Sequence, residues 1–276
     1  MDINKIAILG SGSMGTAILS GLLKAGFEAG NVSVSTKSQA SASRLAQELG
    51  VTAFSAEANA DANSRAVVGA DVVLVAVKPM YVTAVLQEVS AALLPDALII
   101  SVAAGITNAA MEAALPSSVA VVRSMPNTPA IVGRAVTGLA RGSRATDAQL
   151  TLSASLFETV GKVVVLEESQ IDELSAISGS GPAYVFYLVE QFIQAAKSLG
   201  FDDATAQLLV SETFLGASEL LLASGKEPSE LRRQVTSPNG TTERAIAKLG
   251  EAGLANLFES ATAAAVARAK EIAAGN

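Results

Sequence analysis

The sequence predicts an α/β protein with an N-terminal doubly wound, mostly parallel sheet and an all-α C-terminal domain. As far as Leu166, short apolar runs alternate with helical patterns, the order that builds an open sheet covered by helices. The run at 72–77 is apolar at every position, as strands buried on both faces are. Beyond residue 170 helical periodicity continues without a convincing strand. We therefore expect two domains, residues 1–166 and residues 167–276.

Each element follows from its own pattern of apolar residues, glycines and prolines. Strands are predicted at 4–9, 31–35, 51–53, 71–77, 98–102, 119–123, 135–140 and 161–166. Helices between them are predicted at 14–25, 40–49, 59–68, 79–92 and 146–159. In the C-terminal domain helices are predicted at 170–178, 182–199, 203–223, 228–235, 240–249 and 253–273. Gly200, Gly225 and Gly250 fall where they could end helices.

The composition excludes several classes of function. The net charge is −7 and there is no run of lysines or arginines, which argues against a nucleic-acid partner. The chain has no cysteine, hence no disulfide, thiolate nucleophile or cysteine metal site, and we expect no metal. It also has no histidine, which excludes a Ser-His-Asp triad. Any proton donor must be Lys, Tyr, Ser, Thr, a carboxylic acid, water or a ligand group.

The sequence carries no targeting signal that we recognise. No basic segment followed by an apolar segment precedes the first strand, so no signal peptide is expected. The longest apolar tracts contain charges or prolines, so we expect neither a transmembrane helix nor a membrane partner. A cytoplasmic location fits these features.

The first strand leads into the motif Gly10-Ser11-Gly12-Ser13-Met14-Gly15, after which a helical pattern begins. A G-x-G-x-x-G motif between a strand and a helix is the fingerprint of a Rossmann-type dinucleotide site. Gly10 allows the tight turn, Gly12 lets a pyrophosphate approach the backbone, and Gly15 lets the helix pack closely. The helix start offers N–H groups and a positive dipole end to phosphate. The alternative is a glycine-rich turn without a ligand.

The end of the second strand bears on the type of dinucleotide. Ser35 lies 20 residues after Gly15, where an NAD-type fold usually places an acidic residue, yet no carboxylate occurs from Asn31 to Gln47. The hydroxyls of Ser35 and Thr36 with Lys37 suit a 2′-phosphate instead. We therefore expect NADPH, with NADH as the alternative, because lysine indicates phosphate less strongly than arginine does.

Two further strand ends and one loop are candidate ligand contacts. Lys78-Pro79 follows the fourth strand and faces the crevice where such sheets bind ligands, unless Lys78 is only a solvated loop residue. Ala103-Ala104-Gly105 follows the fifth strand, where small residues let a ring or a ribose lie against backbone, or merely allow tight packing. The segment 124–129 holds two prolines and forms a stiff loop.

Two glycine-containing turns with hydroxyl residues interrupt the helical half, at Ser178–Tyr184 and Ser237–Thr242. A helix begins just after each turn, and the free N–H groups of a helix start can bind a carboxylate. Helix capping, typically ~1 kcal/mol per cap, accounts for one hydroxyl in a turn but not for the glycines and the proline beside it. The turns therefore predict a small substrate that carries a carboxylate.

The helix at 182–199 indicates a second subunit. Its first half, which includes Tyr184, Phe186 and Tyr187, is apolar around most of its circumference, and such helices are normally buried. A domain of roughly 110 residues has little interior in which to bury several of them. We therefore expect a homodimer whose helical domains complete one another's cores.

Together the motifs at 10–15, 76–79, 123–129, 178–184 and 237–242 resemble the pyrroline-5-carboxylate reductase family, and the resemblance runs nearly end to end. The last two motifs are more specific than the glycine fingerprint. The resemblance implies hydride transfer from NAD(P)H to the C5=N carbon of 1-pyrroline-5-carboxylate, which gives L-proline in the last step of proline biosynthesis. It also implies a Rossmann domain and an interlocked helical dimer, which in many members assembles further into decamers.

The resemblance also implies roles for single residues. Combined with the motif analysis, it gives a cofactor site comprising Leu9, Gly10, Ser11, Gly12, Ser13, Met14, Gly15, Ser35, Thr36, Lys37, Asn63, Ala76, Val77, Lys78, Pro79, Ala103, Ala104 and Gly105. The substrate residues it implies are Glu168, Ser178, Gly240, Thr241 and Thr242. Backbone N–H groups of 240–242 would hold the carboxylate, and Glu168 matches a glutamate near nicotinamide and substrate. Thr242 matches the family's proton donor, and Lys78 is the second catalytic candidate.

The sequence departs from the family at two positions of the second turn. Asn239 replaces the first glycine of Ser-Pro-Gly-Gly, and asparagine tolerates a positive φ better than most residues. Arg233 stands where an acidic residue is usual, which changes the local charge. A missing histidine is compatible with this reaction, because an imine is easily protonated and nicotinamide supplies the hydride. The substrate then enters as the iminium, or Thr242 relays a proton from water.

Two other functions are alternatives for a chain with this glycine fingerprint: a β-hydroxyacid dehydrogenase and a regulator that binds NADP. A β-hydroxyacid dehydrogenase has a similar fingerprint but needs a lysine in its G-x-x-G-x-G-x-x-x-K helix, and Gly179–Glu190 contains none. A regulator that senses NADP without turnover would not need a second, carboxylate-sized pocket.

Overall fold

The computed structural model describes residues 3–273. The chain forms two compact units. The first unit comprises the chain up to Ser180 together with the segment that begins at Ala265, and the second comprises Gly181–Ala264. A domain boundary after residue 166 stays a prediction.

The first unit contains one eight-stranded sheet. Its strands are β1 (Ile6–Leu9), β2 (Val32–Thr36), β3 (Thr52–Ser55), β4 (Val72–Val75), β5 (Leu98–Ser101), β6 (Ala120–Met125), β7 (Ala135–Arg141) and β8 (Gly161–Val165). The strand order is β3-β2-β1-β4-β5-β6-β7-β8. All neighbouring strands pair in parallel except β6 and β7, which are antiparallel. The predicted doubly wound, mostly parallel sheet is confirmed.

The helices of this unit follow the strands closely. They are α1 (Ser13–Lys24), α2 (Gln39–Leu49), α3 (Ala62–Val67), α4 (Val82–Val89), α5 (Asn108–Ala113), α6 (Asp147–Glu158) and α7 (Ile171–Leu174). The helix predicted at 79–92 is divided, with 3-10 turns at Pro79–Tyr81 and Ser90–Ala92 on either side of α4. The helix predicted at 170–178 likewise passes into a π turn at Ser175–Gly179. The sequence analysis missed α5, whose six residues are too few to show a helical period.

The core lies on both faces of the sheet. Along β1, Ile6 and Ile8 point to the face covered by α1, α2 and α6, whereas Ala7 and Leu9 point to the face covered by α3, α4 and α5. This two-sided burial explains why the strands read as nearly unbroken apolar runs. Because β1, β2, β4 and β5 are parallel, their carboxyl ends meet at one edge of the sheet, where ligands of such folds bind.

The second unit is helical, as predicted. It contains α8 (Gly181–Ser198), α9 (Asp203–Ser224), α10 (Pro228–Gln234), α11 (Thr241–Gly250) and α12 (Leu254–Ala273), of which the last turns group with the first unit. Gly225 ends α9 in a left-handed conformation, whereas Gly250 lies inside α11 and Gly253, with φ 60°, takes the left-handed position. No described residue from 170 to 273 forms a strand.

Few side chains are buried within this unit. Its core cluster consists of Ala196, Ala206 and Val210. In contrast, large apolar side chains are exposed, among them Phe186 at 69% and Leu257 at 57%. An apolar groove of about 340 Å³ lies between α8 and α12, lined by Tyr184, Tyr187, Leu188, Leu254, Leu257, Phe258 and two alanines. These surfaces are those for which the sequence analysis predicted a partner subunit.

The helix α9 differs from the expectation that no helix of this chain is apolar enough to span a membrane. Among the described residues α9 is long and apolar enough to cross a bilayer by length and composition, and 11% of its most apolar window is buried. A helix that packs in a subunit interface passes the same test.

Candidate active site

The turn after β1 has the geometry that its first glycine predicts. Gly10 has a φ of 85°, and the backbone N–H groups of Gly10 and Ser11 both donate to the Ser35 carbonyl, at 3.1 and 3.2 Å. A Cβ atom on Gly10 would lie 2.7 Å from Cγ1 of Val77 and 2.9 Å from the backbone of Ala76. No other residue fits here without moving the turn, which holds the ends of β1, β2 and β4 together.

The other two glycines differ from each other. A Cβ atom on Gly15 would lie 2.9 Å from the Gly10 carbonyl oxygen, so the missing side chain lets α1 pack against the turn. A Cβ atom on Gly12 would meet no atom within 4 Å. Gly12 is the N-cap of α1 and no side chain caps this helix start. Open space in front of free N–H groups is what a pyrophosphate needs, so the turn fits a dinucleotide.

The groove beside the glycine turn adds positive charge. It has a volume of about 540 Å³ and is lined by Ser11, Gly12, Ser13, Thr16, Ala17, Ser20, Lys24, Arg44 and Ile131. Lys24 and Arg44 are exposed, and Arg44 forms an exposed ion pair with Glu48 at 2.9 Å. The sequence analysis did not single out these two cations, because they lie on separate helices and belong to no motif.

Hydrogen bonds fix the polar residues at the end of β2. The Ser35 hydroxyl donates to Oδ1 of Asn63 at 2.7 Å, and Nδ2 of Asn63 donates to Oε2 of Glu88 at 3.0 Å. The Thr36 hydroxyl donates to the Ser38 carbonyl at 2.9 Å. Lys37 is exposed. The structure thus brings Ser35 and Asn63 together beside the glycine turn and leaves the Lys37 side chain at the surface.

The ends of β4 and β5 lie next along this edge. The Ala76 N–H donates to the Leu9 carbonyl at 2.7 Å, and Lys78 is exposed before the turn at Pro79–Tyr81. After β5, the N–H of buried Ala103 donates to the Ser101 hydroxyl at 3.2 Å. Ala104 is exposed, and Gly105 has a φ of 75°. The carboxyl edge thus presents backbone and small side chains beside the glycine turn.

Glu168 lies in a charged cluster that the sequence analysis did not foresee. Its Oε1 atom accepts a hydrogen bond from the Asn108 N–H at 2.6 Å and lies 3.5 Å from Nη1 of Arg123. Nη2 of Arg123 also donates to Oδ1 of Asp172 at 2.7 Å. The Arg123 side chain is 4% exposed, so both carboxylates pair with a buried cation.

Ser178 forms part of the π turn that follows α7. Its hydroxyl donates to the Leu174 carbonyl at 3.2 Å, and its own carbonyl accepts a hydrogen bond from Nδ2 of Asn127 at 2.8 Å. Oδ1 of Asn127 in turn accepts from the Val136 N–H at 2.9 Å. Asn127, in the stiff loop after β6, therefore ties the turn at 178 to the sheet.

The second predicted turn, Ser237–Thr242, belongs to the second unit. Asn239 has a φ of 58°, the left-handed conformation that this asparagine was expected to adopt. Its N–H donates to Oε2 of Glu243 at 2.8 Å, which closes the turn. Gly240 is the N-cap of α11, no side chain caps the helix start, and Thr241 is exposed. The first N–H groups of α11 are thus available to an anion.

Fold and glycine turn together define a class of protein, the oxidoreductases that bind a nicotinamide dinucleotide on a Rossmann sheet. A family model described as NADP oxidoreductase, coenzyme F420-dependent, matches residues 5–105. A second, described as pyrroline-5-carboxylate reductase dimerisation, matches residues 168–272.

Similar proteins identify the family within that class. Pyrroline-5-carboxylate reductase of Pseudomonas aeruginosa is 40% identical over 274 residues, which cover 99% of this chain and 98% of that protein. The solved structure of a pyrroline-5-carboxylate reductase from Coxiella burnetii superposes with a TM-score of 0.90 at 37% identity, over 97% of this chain and 98% of that one. The Plasmodium falciparum reductase with NADP bound gives 0.84 at 25% identity, over 99% and 98%. The chain belongs to the pyrroline-5-carboxylate reductase family.

These comparisons confirm the predicted family, fold class, nicotinamide cofactor and oligomerisation through the helical region. The roles assigned to single residues, including Thr242, Lys78 and Glu168, stay predictions. Several residues that organise the site were missed, namely Glu88, Asn108, Arg123, Asp172 and Glu243. For Arg123 a signal existed, a lone charged residue in the apolar strand Ala120–Met125.

Proposed function

We propose that this chain reduces 1-pyrroline-5-carboxylate to L-proline with NADPH. The observation that carries the proposal is the pair of uncapped helix starts, one at Gly12 before α1 and one at Gly240 before α11, in a chain of this family. One suits a pyrophosphate and the other a carboxylate. A β-hydroxyacid dehydrogenase would need a proton-handling lysine early in the helix from Gly181, whose first lysine is Lys197.

The reaction adds one hydride and one proton across the C=N bond. When bound, the nicotinamide supplies the hydride to the imine carbon. The turn at Gly10–Gly15 would hold the pyrophosphate, and Ala103–Gly105 would hold the nicotinamide end. The Gly240 N–H donates to the Ser237 carbonyl at 3.0 Å, so it is the N–H groups of Thr241 and Thr242 that would hold the substrate carboxylate and so fix the ring before transfer.

The proton goes to the ring nitrogen. Among the described residues Thr242 is the candidate donor, and its hydroxyl is a weak acid. Two routes are therefore compatible with its position at the start of α11: the substrate binds as the iminium, or Thr242 passes on a proton from water. Lys78, exposed at the end of β4, adds positive charge at the sheet edge where ligands bind.

NADPH is the proposed dinucleotide. Ser35, Thr36 and Lys37 supply hydroxyls and one cation at the end of β2, and Lys24 and Arg44 add positive charge beside the glycine turn. Such groups favour a 2′-phosphate over a free hydroxyl. That the Plasmodium falciparum structure holds NADP supports the same assignment.

We further propose a homodimer formed through the helical domain, assembly of dimers into a decamer, and a cytoplasmic location. The exposed apolar side chains of α8, α9 and α12 support the dimer, because large exposed apolar patches mark interaction surfaces.

The direct test incubates the purified protein with NADPH and pyrroline-5-carboxylate and follows both NADPH absorbance and proline. We expect equal amounts of NADPH consumed and proline formed, and no proline when either reactant is left out. Folded protein that forms no proline would refute the proposal. NADPH binding without turnover would instead favour the regulatory alternative.

A further inference from the structure

We propose that Arg123 is a positioning residue for the reductase reaction, acting through Glu168 on the backbone that follows the Ala103–Gly105 segment. This inference rests on the proposed function, because a positioning role presupposes the reductase reaction. Its geometric basis is independent, since all the contacts lie within the first unit.

The first step is the burial of Arg123. Its guanidinium is 4% exposed in the apolar strand β6, and a cation is costly there unless paired. It is paired twice, with Asp172 at 2.7 Å and with Glu168 at 3.5 Å. Its Nε atom has no hydrogen-bond partner among the described residues. A well-packed apolar cluster of similar volume is often as stable as such a buried group of charges, so packing alone does not account for it.

The second step is the link from Glu168 to the cofactor edge. The oxygen that faces Arg123 also accepts the Asn108 N–H at 2.6 Å. Asn108 is the first residue of α5, three positions after Gly105, and its Nδ2 atom donates to the Ala140 carbonyl on β7 at 3.2 Å. Arg123 therefore fixes, through one carboxylate, the end of the segment on which the nicotinamide is expected to lie.

The third step is the charge of the cluster. With ionised side chains, one guanidinium faces two carboxylates, which leaves a formal excess of one negative charge. Asp172 makes the short contact with Arg123, whereas Glu168 makes the longer one and is 32% exposed. The excess therefore lies at Glu168, on the exposed side, and an iminium nitrogen is a cation that it would attract. Arg123 thus sets both the place and the direction of this carboxylate.

The test compares Arg123→Met and Arg123→Lys with Arg141→Met. Arg141 is the matched control, because it pairs with Asp147 at 2.6 Å from the neighbouring strand while both side chains are exposed. For each variant we would measure kcat, both KM values, the Kd of NADPH, the emission of bound NADPH and the thermal midpoint. We expect Arg123→Met to lower kcat by about 10- to 100-fold, because misplacement by about 1 Å costs that much. The Kd of NADPH should change less than about threefold, because the Gly10–Gly15 turn holds the pyrophosphate.

Arg123→Lys keeps the charge but not the two-armed geometry, and should recover part of the lost kcat. Glu168→Gln should lower kcat by itself and add little further in the Arg123→Met background, because residues of one network are not additive. Wild-type kcat in folded Arg123→Lys and Arg123→Met would overturn the positioning role, even if both were less thermostable. So would full additivity with Glu168→Gln.

Failure of the positioning role is distinguishable from failure of the proposed function. Turnover by the wild type and by Arg141→Met measures the proposed function alone. The emission of bound NADPH needs no turnover, and it reports on the surroundings of the nicotinamide. Arg123→Met should change it at unchanged Kd; emission identical to wild type would count against the inference. If Arg123→Met does not fold, Arg123→Lys and Glu168→Gln decide the question by the same measurements.

Discussion

Replacing Gly12 by alanine separates cofactor binding from folding. The added Cβ atom would meet no protein atom within 4 Å, and the φ of −75° at Gly12 is an ordinary value for alanine. Alanine at an N-cap is less favourable than glycine, whereas a Gly→Ala change at a compatible φ stabilises by about 0.4–1 kcal/mol. These effects oppose each other, so the free energy of unfolding without cofactor should stay within about 1 kcal/mol of the wild-type value.

The same methyl group occupies the space that a pyrophosphate must enter. A hydrogen bond to a charged acceptor contributes about 1.5–3 kcal/mol, and losing one from the start of α1 weakens binding accordingly. At 1.4 kcal/mol per factor of ten, the Kd of NADPH should rise about 10- to 100-fold. Calorimetric titration measures this Kd, and thermal unfolding without cofactor measures stability.

Two matched glycines serve as controls. Gly30→Ala also adds a methyl group in open space, but outside the turn, and should leave the Kd of NADPH unchanged while it changes the free energy of unfolding by less than about 1 kcal/mol. Gly10→Ala should destabilise the protein before any ligand is added, by about 1–2 kcal/mol from its left-handed φ alone. A Gly12→Ala variant that binds NADPH as tightly as the wild type would refute the reading of this turn as the pyrophosphate site.

Three further predictions follow from other parts of the chain. Lys37→Ala should lower the ratio of kcat/KM for NADPH to that for NADH about tenfold or more, because a charge-assisted contact is lost. The control is Lys162→Ala, at an exposed lysine on β8. An unchanged ratio in Lys37→Ala would show that Lys37 does not determine cofactor selectivity. Leu257→Glu, in the groove between α8 and α12, should convert dimers to monomers in light scattering, whereas the exposed Leu94→Glu should not. Hydrogen bonds from Thr205 lower the pKa of Asp202 below 3.8. Ionised Asp202 therefore stabilises α9 above that pH, and the wild type should unfold at a higher temperature than Asp202→Asn there. This difference in unfolding temperature should disappear as the pH falls through the lowered pKa. A difference independent of pH would contradict this assignment.

Most of the fold could be predicted because its signals are local. The apolar strands β1, β4 and β5 are buried along their whole length, so each run was recognisable by itself, and glycines and prolines marked most helix ends. What was missed is either too short or set by packing. The six residues of α5 carry no helical period, and its start is fixed by the Thr107 side chain, which accepts the Ala110 N–H at 3.2 Å. The helix predicted at 79–92 is divided into α4 and two 3-10 turns, because the backbone hydrogen bonding changes at both ends. The spacing of apolar residues does not indicate such a change.

The glycine turn could be predicted from the sequence, whereas the cluster around Arg123 could not. The glycine turn is one continuous segment whose strained φ at Gly10 demands a glycine, so spacing alone located it. The cluster around Arg123 joins residues 49 positions apart, and nothing in the spacing of Asp172 points to β6. A buried charge needs a partner, so the lone arginine in β6 was a signal for a nearby carboxylate that the sequence analysis did not use, and it would not have identified which carboxylate.

The source of the proton is where the absence of histidine matters most. At the carboxyl edge of the sheet, Glu168 is engaged by Arg123 and the Asn108 N–H, and Glu88 by the Asn63 amide. Both carboxylates are therefore engaged, and we propose that the proton comes with the substrate as an iminium or through Thr242.

The two routes separate in Thr242→Ala. If the substrate binds as the iminium, kcat/KM of Thr242→Ala should match the wild type at every pH. If Thr242 relays a proton, kcat/KM should fall by about 10²- to 10⁴-fold, as for other general acids, at high pH, where the imine is unprotonated, and should recover at low pH, where the substrate already carries the proton. Thr242→Ser keeps the hydroxyl and should recover most of that loss. Equal kcat for wild type and Thr242→Ala across the whole pH range would exclude Thr242 as donor, and protonation would then depend on the substrate and on the charge at Glu168.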